Sequence, residues 1–269
     1  MIQVSNLTPQ IGARVEGKPE EVLMPETAAG LRKLLVERGV LVFPELNLTG
    51  EQQVRLAGMM GNVRDEGEKG IFKITLDEKT NSRAEYLKGS WLWHMDGTHD
   101  DVPVFGSLLT GRKLSDVGGR TGFANSYAAY EALPPDEKAR LEGLKVVHSF
   151  ATSMERAGVM PTEDDIAYWR SIPDKTHNLV WTHRCGRKSL VVGCHASHVV
   201  GMDRAESDAL LAGLLDWITQ PQFLYWHEWT LGDLLIWDNT GVLHRAEPYP
   251  LDSGRMMHRT TLLGEEAFA

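Results

Sequence analysis

The first candidates for chemistry in this sequence are a histidine and an aspartate two residues apart. His94 and Asp96 lie in the segment 91–99. On a β-strand, residues i and i+2 face the same side, so an imidazole nitrogen and a carboxylate oxygen can meet at one point. A second histidine would complete the two-histidine, one-carboxylate set of non-haem Fe(II) oxygenases, which leaves coordination positions open. Without it, the pair fits a hydrogen-bonded surface contact equally well.

A second histidine follows a strand-like segment late in the chain. Residues 232–244 contain a short apolar run, a polar turn with Asp238 and Asn239, and then His244. A run of this length between polar turns is typical of a buried strand. His244 is therefore a candidate for the missing position of the metal site.

Two arginines near the end of the chain indicate an anionic ligand. If the segment 255–262 is a strand, Arg255 and Arg259 face the same side as Met257 and Thr261. A guanidinium on the inner face of a barrel strand is costly without an anionic partner, and arginine binds carboxylates bidentately. The two arginines are about 13 Å apart along a strand, so two separate anionic groups are expected. The alternative is that both point outward and pair with surface acids.

The elements that would position these residues are many short strands and a few helices. Candidate helices are recognised by their caps and helical apolar spacing, and lie at 27–38, 49–60, 126–132, a segment ending near 144, and a segment that Asp203 caps. Candidate strands lie at 39–43, 71–75, 104–109, 122–124, 179–181, 189–192, 234–237 and 255–263. The absence of a regular strand–helix alternation favours a mainly β fold, a jelly roll with flanking helices. Without a repeat or a long linker, we expect one domain over residues 1–269.

Composition excludes several classes of protein. The 28 Lys and Arg residues against 37 Asp and Glu residues give a net charge of −9, which excludes nucleic-acid binding driven by bulk charge. The chain has no apolar run long enough to span a membrane and no signal-peptide pattern at its start. Two cysteines do not make a disulfide framework, so we expect reduced thiols in a cytoplasmic protein.

Taken together, these motifs resemble the taurine/2,4-dichlorophenoxyacetate dioxygenase family of Fe(II)- and 2-oxoglutarate-dependent enzymes. The likeness runs in order from about residue 5 to the end of the chain. The matching stretches lie at 92–96 (Leu-Trp-His-Met-Asp), 118–134 (beginning Gly-Gly-Arg-Thr), 182–183, 186–190, 195–199, 232–234, 237–239, 243–245 and 255–260.

The resemblance implies a fold and a role for each matching residue. It implies a double-stranded β-helix with His94, Asp96 and His244 as the Fe(II) ligands. Arg255 is similar to the arginine that holds the distal carboxylate of 2-oxoglutarate, and Thr121 to a threonine that holds the same cosubstrate. The implied reaction consumes dioxygen and 2-oxoglutarate, hydroxylates a substrate, and releases succinate and CO2.

The same resemblance suggests an acidic primary substrate. Arg259 is similar to the residue that contacts the acidic group of the substrate in relatives. His195 and His198, and the pair Phe72-Lys73, resemble the phenoxyacetate branch rather than the taurine branch. They predict an aryloxyalkanoate-like carboxylate that undergoes ether cleavage. Both histidines also fit structural roles, and Lys73 alternates with apolar residues and thus also fits a solvent-facing position.

Some positions depart from the family pattern and leave alternatives open. Arg120 and Gly254 stand where relatives often have an acidic and a basic residue, and the polar stretch 77–89, a mobile lid in relatives, matches poorly. Other carboxylic acids, or a sulfonate such as taurine, therefore stay open as substrates. The same ligands would also suit a zinc hydrolase, although hydrolysis does not require Arg255. A non-enzymatic jelly-roll binding module would leave the three ligands without a reason to converge. Homo-oligomers are common in the family, so the resemblance leaves a homo-oligomer open.

Overall fold

The computed structural model describes residues 1–77, 79–81 and 84–268. Within these residues the chain forms fifteen strands, eight α-helices and two 3-10 helices. The strands are β1 (Gln3–Asn6), β2 (Ala13–Glu16), β3 (Val40–Phe43), β4 (Phe72–Ile74), β5 (Gly106–Lys113), β6 (Thr121–Asn125), β7 (Lys145–His148), β8 (Lys175–Asn178), β9 (Val180–Thr182), β10 (Lys188–Leu190), β11 (Ala196–Val199), β12 (Leu224–His227), β13 (Leu234–Asp238), β14 (Val242–Ala246) and β15 (Met256–Leu262). The helices are α1 (Pro19–Val22), α2 (Pro25–Arg38), α3 (Gly50–Met60), α4 (Ser126–Glu131), α5 (Pro135–Leu141), α6 (Phe150–Arg156), α7 (Glu163–Ser171) and α8 (Arg204–Ile218), and the 3-10 helices are Ala84–Trp91 and Pro221–Phe223.

A seven-stranded sheet supports the rest of the molecule. Its strand order is β1-β2-β3-β13-β5-β15-β4, and all pairs are antiparallel except β2 with β3. The central strand β13 is buried on both faces because alternate side chains face different layers. Leu234 and Ile236 pack with the helices outside the sheet, whereas Leu235 and Trp237 pack on its inner side.

A smaller sheet, β12-β6-β14, lies against the inner side of the large one. Phe123 of β6 and Val242 of β14 share one buried cluster with Leu235, Trp237 and Met257 of the large sheet. Two further small sheets, β11-β7-β8 and β10-β9, extend this side of the molecule. Two facing antiparallel sheets with helices outside are the predicted jelly roll.

Helices α3 and α8 begin where the sequence predicts. In α3, the Thr49 hydroxyl accepts a hydrogen bond from the Gln52 amide (3.2 Å) and the Gln52 side chain accepts one from the Thr49 amide (2.9 Å), as a capping box requires. The Asp203 carboxylate accepts from the Ala205 amide at the start of α8 (2.9 Å). Among the described residues no helix is long and apolar enough to cross a membrane.

The turn between β13 and β14 generates the first testable prediction. A Cβ at Gly241 would lie 1.6 Å from the ring of Tyr127, which is buried and bonded to Thr240 (3.0 Å). We therefore expect Gly241→Ala to lower the free energy of unfolding by at least about 2 kcal/mol, because the ring has no free space to move into.

Gly213→Ala is the matched control for thermal or urea unfolding. Gly213 lies on the exposed face of α8, and its added methyl would meet nothing within 4 Å. It should stabilise the protein by up to about 1 kcal/mol through helix propensity. Equal stability of Gly241→Ala and the native protein would contradict the packing argument.

Candidate functional site

The three predicted metal ligands converge. The His94 Nε2 atom lies 3.6 Å from Asp96 Oδ1, and the His244 Nε2 atom lies 3.7 Å from Asp96 Oδ2. One ligand atom from each of the three residues lies within 4.8 Å of the others. Atoms bound about 2.1 Å from one ion and at right angles to each other are separated by about 3 Å, so this spacing suits a single small cation.

Backbone pairing joins the two histidines. The His94 amide donates to the His244 carbonyl (3.1 Å) and the His244 amide donates to the His94 carbonyl (2.9 Å), forming an isolated antiparallel bridge. The His94 Nδ1 atom lies 2.8 Å from the Leu92 carbonyl, which makes this nitrogen the protonated one. The lone pair of His94 Nε2 is then free for a metal, as an outer hydrogen bond usually ensures for a ligating histidine.

Asn239 positions the carboxylate ligand, a role that the sequence analysis did not identify. Its side-chain oxygen accepts from the Asp96 amide (2.8 Å), and its side-chain nitrogen donates to the carbonyls of Asp96 (2.8 Å) and Val104 (3.0 Å). The side chain is fully buried. The turn that carries Asp96 is therefore attached to the end of β13. The only sequence signal was the position of Asn239 in the motif that precedes His244.

The protonation states also suit a divalent cation. Burial lowers the pKa of His244 to about 3, so its imidazole is neutral at ordinary pH. Burial raises the pKa of Asp96, but the positive charge that His244 carries when it is protonated in acid, together with that of Arg259, outweighs burial and holds the pKa of Asp96 well below its usual range. The two imidazoles and the carboxylate form a mixed nitrogen and oxygen donor set that fits Fe(II).

The ligands face a cavity of about 560 Å³ between the two facing sheets. Phe72, Ile74 and Met257 of the large sheet line one side, and Thr121 of β6 lines the other. This volume is within the usual range for a small-molecule site.

Arg255 enters this cavity as a buried cation. It is 4 % exposed, its guanidinium donates to the Gly119 carbonyl (3.1 Å), and it lies over the ring of Tyr249 at 4.7 Å. In the described part of the chain it forms no ion pair with an acidic side chain, and burial lowers its pKa. A buried guanidinium without a carboxylate partner fits the far carboxylate of a keto-diacid.

The Gly-Gly-Arg-Thr motif packs against Arg255. Gly119 has φ +78°, and a Cβ there would lie 3.1 Å from Arg255 Nε, so a glycine is needed next to the guanidinium. The Thr121 hydroxyl accepts a hydrogen bond from Trp229 Nε1 (2.9 Å). Because an indole N–H only donates, the hydroxyl proton of Thr121 is left for an acceptor in the cavity.

Arg259 also lines the cavity, but the chain itself supplies its anionic neighbours. Its guanidinium nitrogens lie 3.5 Å from Asp96 and 3.8 Å from Glu66, and its charge lies over the ring of Phe72 at 5.3 Å. The interpretation that each inward arginine needs an anion from a ligand therefore applies to Arg255 and not to Arg259. Arg259 is adjacent to the metal site rather than distant from it.

The three other predicted substrate residues divide between two environments. His195 lines the cavity, with its ring 6.5 Å from that of His94, and burial holds its pKa well below the usual value. His198 is not among the residues that line the cavity, and its Nδ1 atom lies 3.2 Å from the Ser197 hydroxyl. Lys73 points away, because its neighbours on β4 face inward, and it pairs with Glu68 at 3.2 Å outside. The predicted contact of Lys73 with substrate is therefore wrong.

An aromatic cluster forms another wall of the cavity. Tyr86 of the first 3-10 helix, Phe150 of α6 and Tyr168 of α7 all line it, with ring centroids 5.8 to 5.9 Å apart. Tyr86 lies in the stretch 77–89, for which a lid was predicted. Residues 78, 82 and 83 of that stretch lie outside the described residues, and the lid stays a prediction.

Comparison with known proteins agrees with this geometry. The model of the family described as "Taurine catabolism dioxygenase TauD, TfdA family" matches residues 3–261. A (S)-phenoxypropionate/alpha-ketoglutarate-dioxygenase of Sphingobium herbicidovorans is 35 % identical over 252 residues, covering 88 % of this chain and 86 % of that protein. An alpha-ketoglutarate-dependent 2,4-dichlorophenoxyacetate dioxygenase of Cupriavidus pinatubonensis is 36 % identical over 254 residues, covering 87 % and 88 %.

A solved structure agrees over the whole fold. The crystal structure of AAD-2 in complex with Mn(II) and N-oxalylglycine superimposes with a TM-score of 0.87 at 31 % identity and covers 100 % of both chains. The jelly-roll prediction is thereby confirmed, as are the enzyme class and its use of Fe(II), 2-oxoglutarate and dioxygen. The zinc hydrolase and the binding module are excluded on the same grounds. This chain belongs to the TauD/TfdA family of alpha-ketoglutarate-dependent dioxygenases.

Proposed function

We propose that residues 1–269 form a single dioxygenase domain that hydroxylates an aryloxyalkanoate-like carboxylic acid and cleaves its ether bond. The observation that carries this proposal is a cavity with the Tyr86, Phe150 and Tyr168 rings on one wall and the Arg259 guanidinium beside the metal ligands. An aromatic wall favours an aryl group, and a guanidinium favours a carboxylate. The relatives that act on phenoxypropionate and 2,4-dichlorophenoxyacetate support the same class.

Each site residue then has a defined task. His94, Asp96 and His244 hold Fe(II), which supplies the oxidising chemistry when 2-oxoglutarate and dioxygen are bound. Arg255 binds the far carboxylate of 2-oxoglutarate, and Thr121 donates its hydroxyl proton to the same cosubstrate. Arg259 orients the substrate carboxylate, and neutral His195 lines the cavity next to His94.

The ether cleavage follows from the position of hydroxylation. A hydroxyl placed on the carbon that carries the ether oxygen gives a hemiacetal, which collapses to a carbonyl compound and a phenol. The protein contributes by holding that carbon towards the ligands of the metal, with the ring on the aromatic wall and the carboxylate at Arg259. A sulfonate would satisfy Arg259 equally well, but it would leave the aromatic wall without a partner.

The substrate class is tested with a panel of acids scored by succinate formation. We expect an aryloxyalkanoate to have a kcat/KM at least about tenfold above taurine, an alkyl sulfate or an amino acid, with phenol released in equal amount to succinate. Phe150→Ala should raise KM about tenfold for the aryl acid and much less for an aliphatic acid, because only the aryl group contacts the ring. A preference for taurine or the alkyl sulfate would overturn the proposed substrate.

Arg255→Ala tests the cosubstrate site. Removing the buried guanidinium should weaken 2-oxoglutarate binding about 100-fold and leave Fe(II) affinity unchanged, because Arg255 has no contact with the metal ligands. The visible charge-transfer absorption of the anaerobic Fe(II) and 2-oxoglutarate complex gives the affinity. Arg14→Ala, at an exposed arginine of β2 that pairs with Glu16, is the control. Native affinity in Arg255→Ala would remove this residue from its proposed task.

Asn239→Ala tests the positioning of Asp96. Loss of the bonds to the Asp96 backbone should weaken Fe(II) binding by about tenfold or more, as for other residues that orient metal ligands. Calorimetric titration of the metal-free protein measures this directly, with Asn6→Ala on exposed strand β1 as control. A folded Asn239→Ala protein with native Fe(II) affinity would refute the positioning role.

A further inference from the structure

A second pocket lies behind the metal ligands, on the far side from the cavity. Its volume is about 490 Å³, and it lies between α8 and the extended segment that carries His94. The residues that matter for its function are Leu92, Trp93, Cys194, Leu211, Leu215 and Arg245. Cys194 and Arg245 line both this pocket and the substrate cavity, so the two spaces share a wall.

That wall is one layer of extended chain. Trp93 lines the rear pocket and His94 lines the cavity, since neighbouring side chains of an extended segment point to opposite faces. The Cys194 amide donates to the Trp93 carbonyl (2.8 Å), which places the loop containing Cys194 beside the same segment. The rear pocket is thus separated from the metal ligands by the thickness of a single strand.

The side chain of Arg245 is suited to open and close this wall. Its charge lies 5.7 Å from the ring of Trp93 and 5.6 Å from that of Trp226. Its Nε atom is buried and, as far as the described residues extend, has no hydrogen-bond partner. Contacts with ring faces restrain a guanidinium less than directional hydrogen bonds do, so Arg245 can shift along the rings.

The other two cationic residues of the rear pocket, Arg156 and Arg204, already have partners, so neither requires an anionic ligand. One guanidinium nitrogen of Arg156 donates to the carbonyls of Cys194 (2.9 Å) and Ala196 (2.8 Å). Arg204 pairs with Asp208 at 2.9 Å on the same helix. Leu92, Leu211 and Leu215 supply an apolar surface between these charges, and the Cys194 thiol is uncharged because burial raises its pKa to about 12. Arg245, unlike Arg255, has an acidic neighbour in Glu247, so a small neutral molecule suits this lining best.

We propose that the rear pocket is a second route by which dioxygen reaches the metal ligands. The enzyme needs three reactants, and in the proposed function 2-oxoglutarate and the substrate would share the cavity of about 560 Å³ in which the metal ligands lie. Dioxygen is small and apolar, and a path past Cys194 and Arg245 avoids that filled space. This inference depends on the family chemistry of the chain and not on which acid is the substrate.

Ala212→Trp tests the route from outside the active site. Ala212 is an exposed residue of α8 that lines the rear pocket, and an indole there would fill its opening. Ala209→Trp is the matched control, because Ala209 is exposed on the same helix and lines a different pocket. The assay measures succinate formation against dioxygen concentration, with the best acid of the panel or with 2-oxoglutarate alone.

We expect Ala212→Trp to raise KM for dioxygen at least threefold, with kcat at saturating dioxygen and the affinity for 2-oxoglutarate unchanged.

Xenon binding tests the pocket without turnover, because xenon occupies apolar cavities. Crystals of the native protein and of Ala209→Trp under xenon pressure should show an atom near Leu211 and Leu215, and those of Ala212→Trp should not. A native KM for dioxygen in Ala212→Trp, or an equal increase in Ala209→Trp, would overturn the second route.

Discussion

The pair of backbone hydrogen bonds between His94 and His244 is the contact on which the site depends. The two residues are far apart in the sequence, and their reciprocal bonds of 3.1 and 2.9 Å place both imidazoles on one side of a two-strand bridge. Asn239 holds the third ligand, Asp96, in place, because its side chain forms hydrogen bonds with both the amide and the carbonyl of Asp96. Main-chain geometry, more than side-chain packing, therefore determines where a metal can bind, and it is set by β13 and β14 of the two facing sheets.

The buried charge of Arg255 explains why this metal site suits an anionic cosubstrate. Arg255 is buried over the Tyr249 ring, where its charge is costly to keep without an anion in the same space. Arg259 differs, since Asp96 and Glu66 already neutralise it partly. Arg255 thus requires an anionic ligand. Arg259 can exchange its long contacts with Asp96 and Glu66 for an acidic group of the substrate. This difference supports the proposal that Arg255 binds the keto-diacid and Arg259 the substrate.

The strong sequence patterns predicted some of the elements that carry the chemistry. Strands such as β13 and β15 and helices such as α3 and α8 have apolar runs or caps that local physical chemistry makes recognisable, and the structure has them close to the predicted bounds. The strands and α-helices that were not predicted are β1, β2, β7, β8, β11, β12 and β14, and α1, α6 and α7. Lys175–Asn178, for example, is entirely polar, so β8 is stabilised by its antiparallel partner β7 rather than by its own pattern. Asn239 lies in a recognisable motif, but no spacing rule predicts which carbonyl a buried side-chain amide will hydrogen-bond.

The aromatic wall of the cavity comes from three segments that were not predicted, and this has a physical cause. A metal and a cosubstrate that are common to a whole family require fixed residue types at fixed positions, so their motifs can be recognised in one sequence. A hydrophobic wall requires only that rings of suitable size reach the cavity, and Phe150 of α6, Tyr168 of α7 and Tyr86 of a 3-10 helix do so from three separate segments. Many sequences satisfy that condition equally well. The reaction can therefore be recognised from local motifs, whereas the proposed specificity depends on tertiary packing.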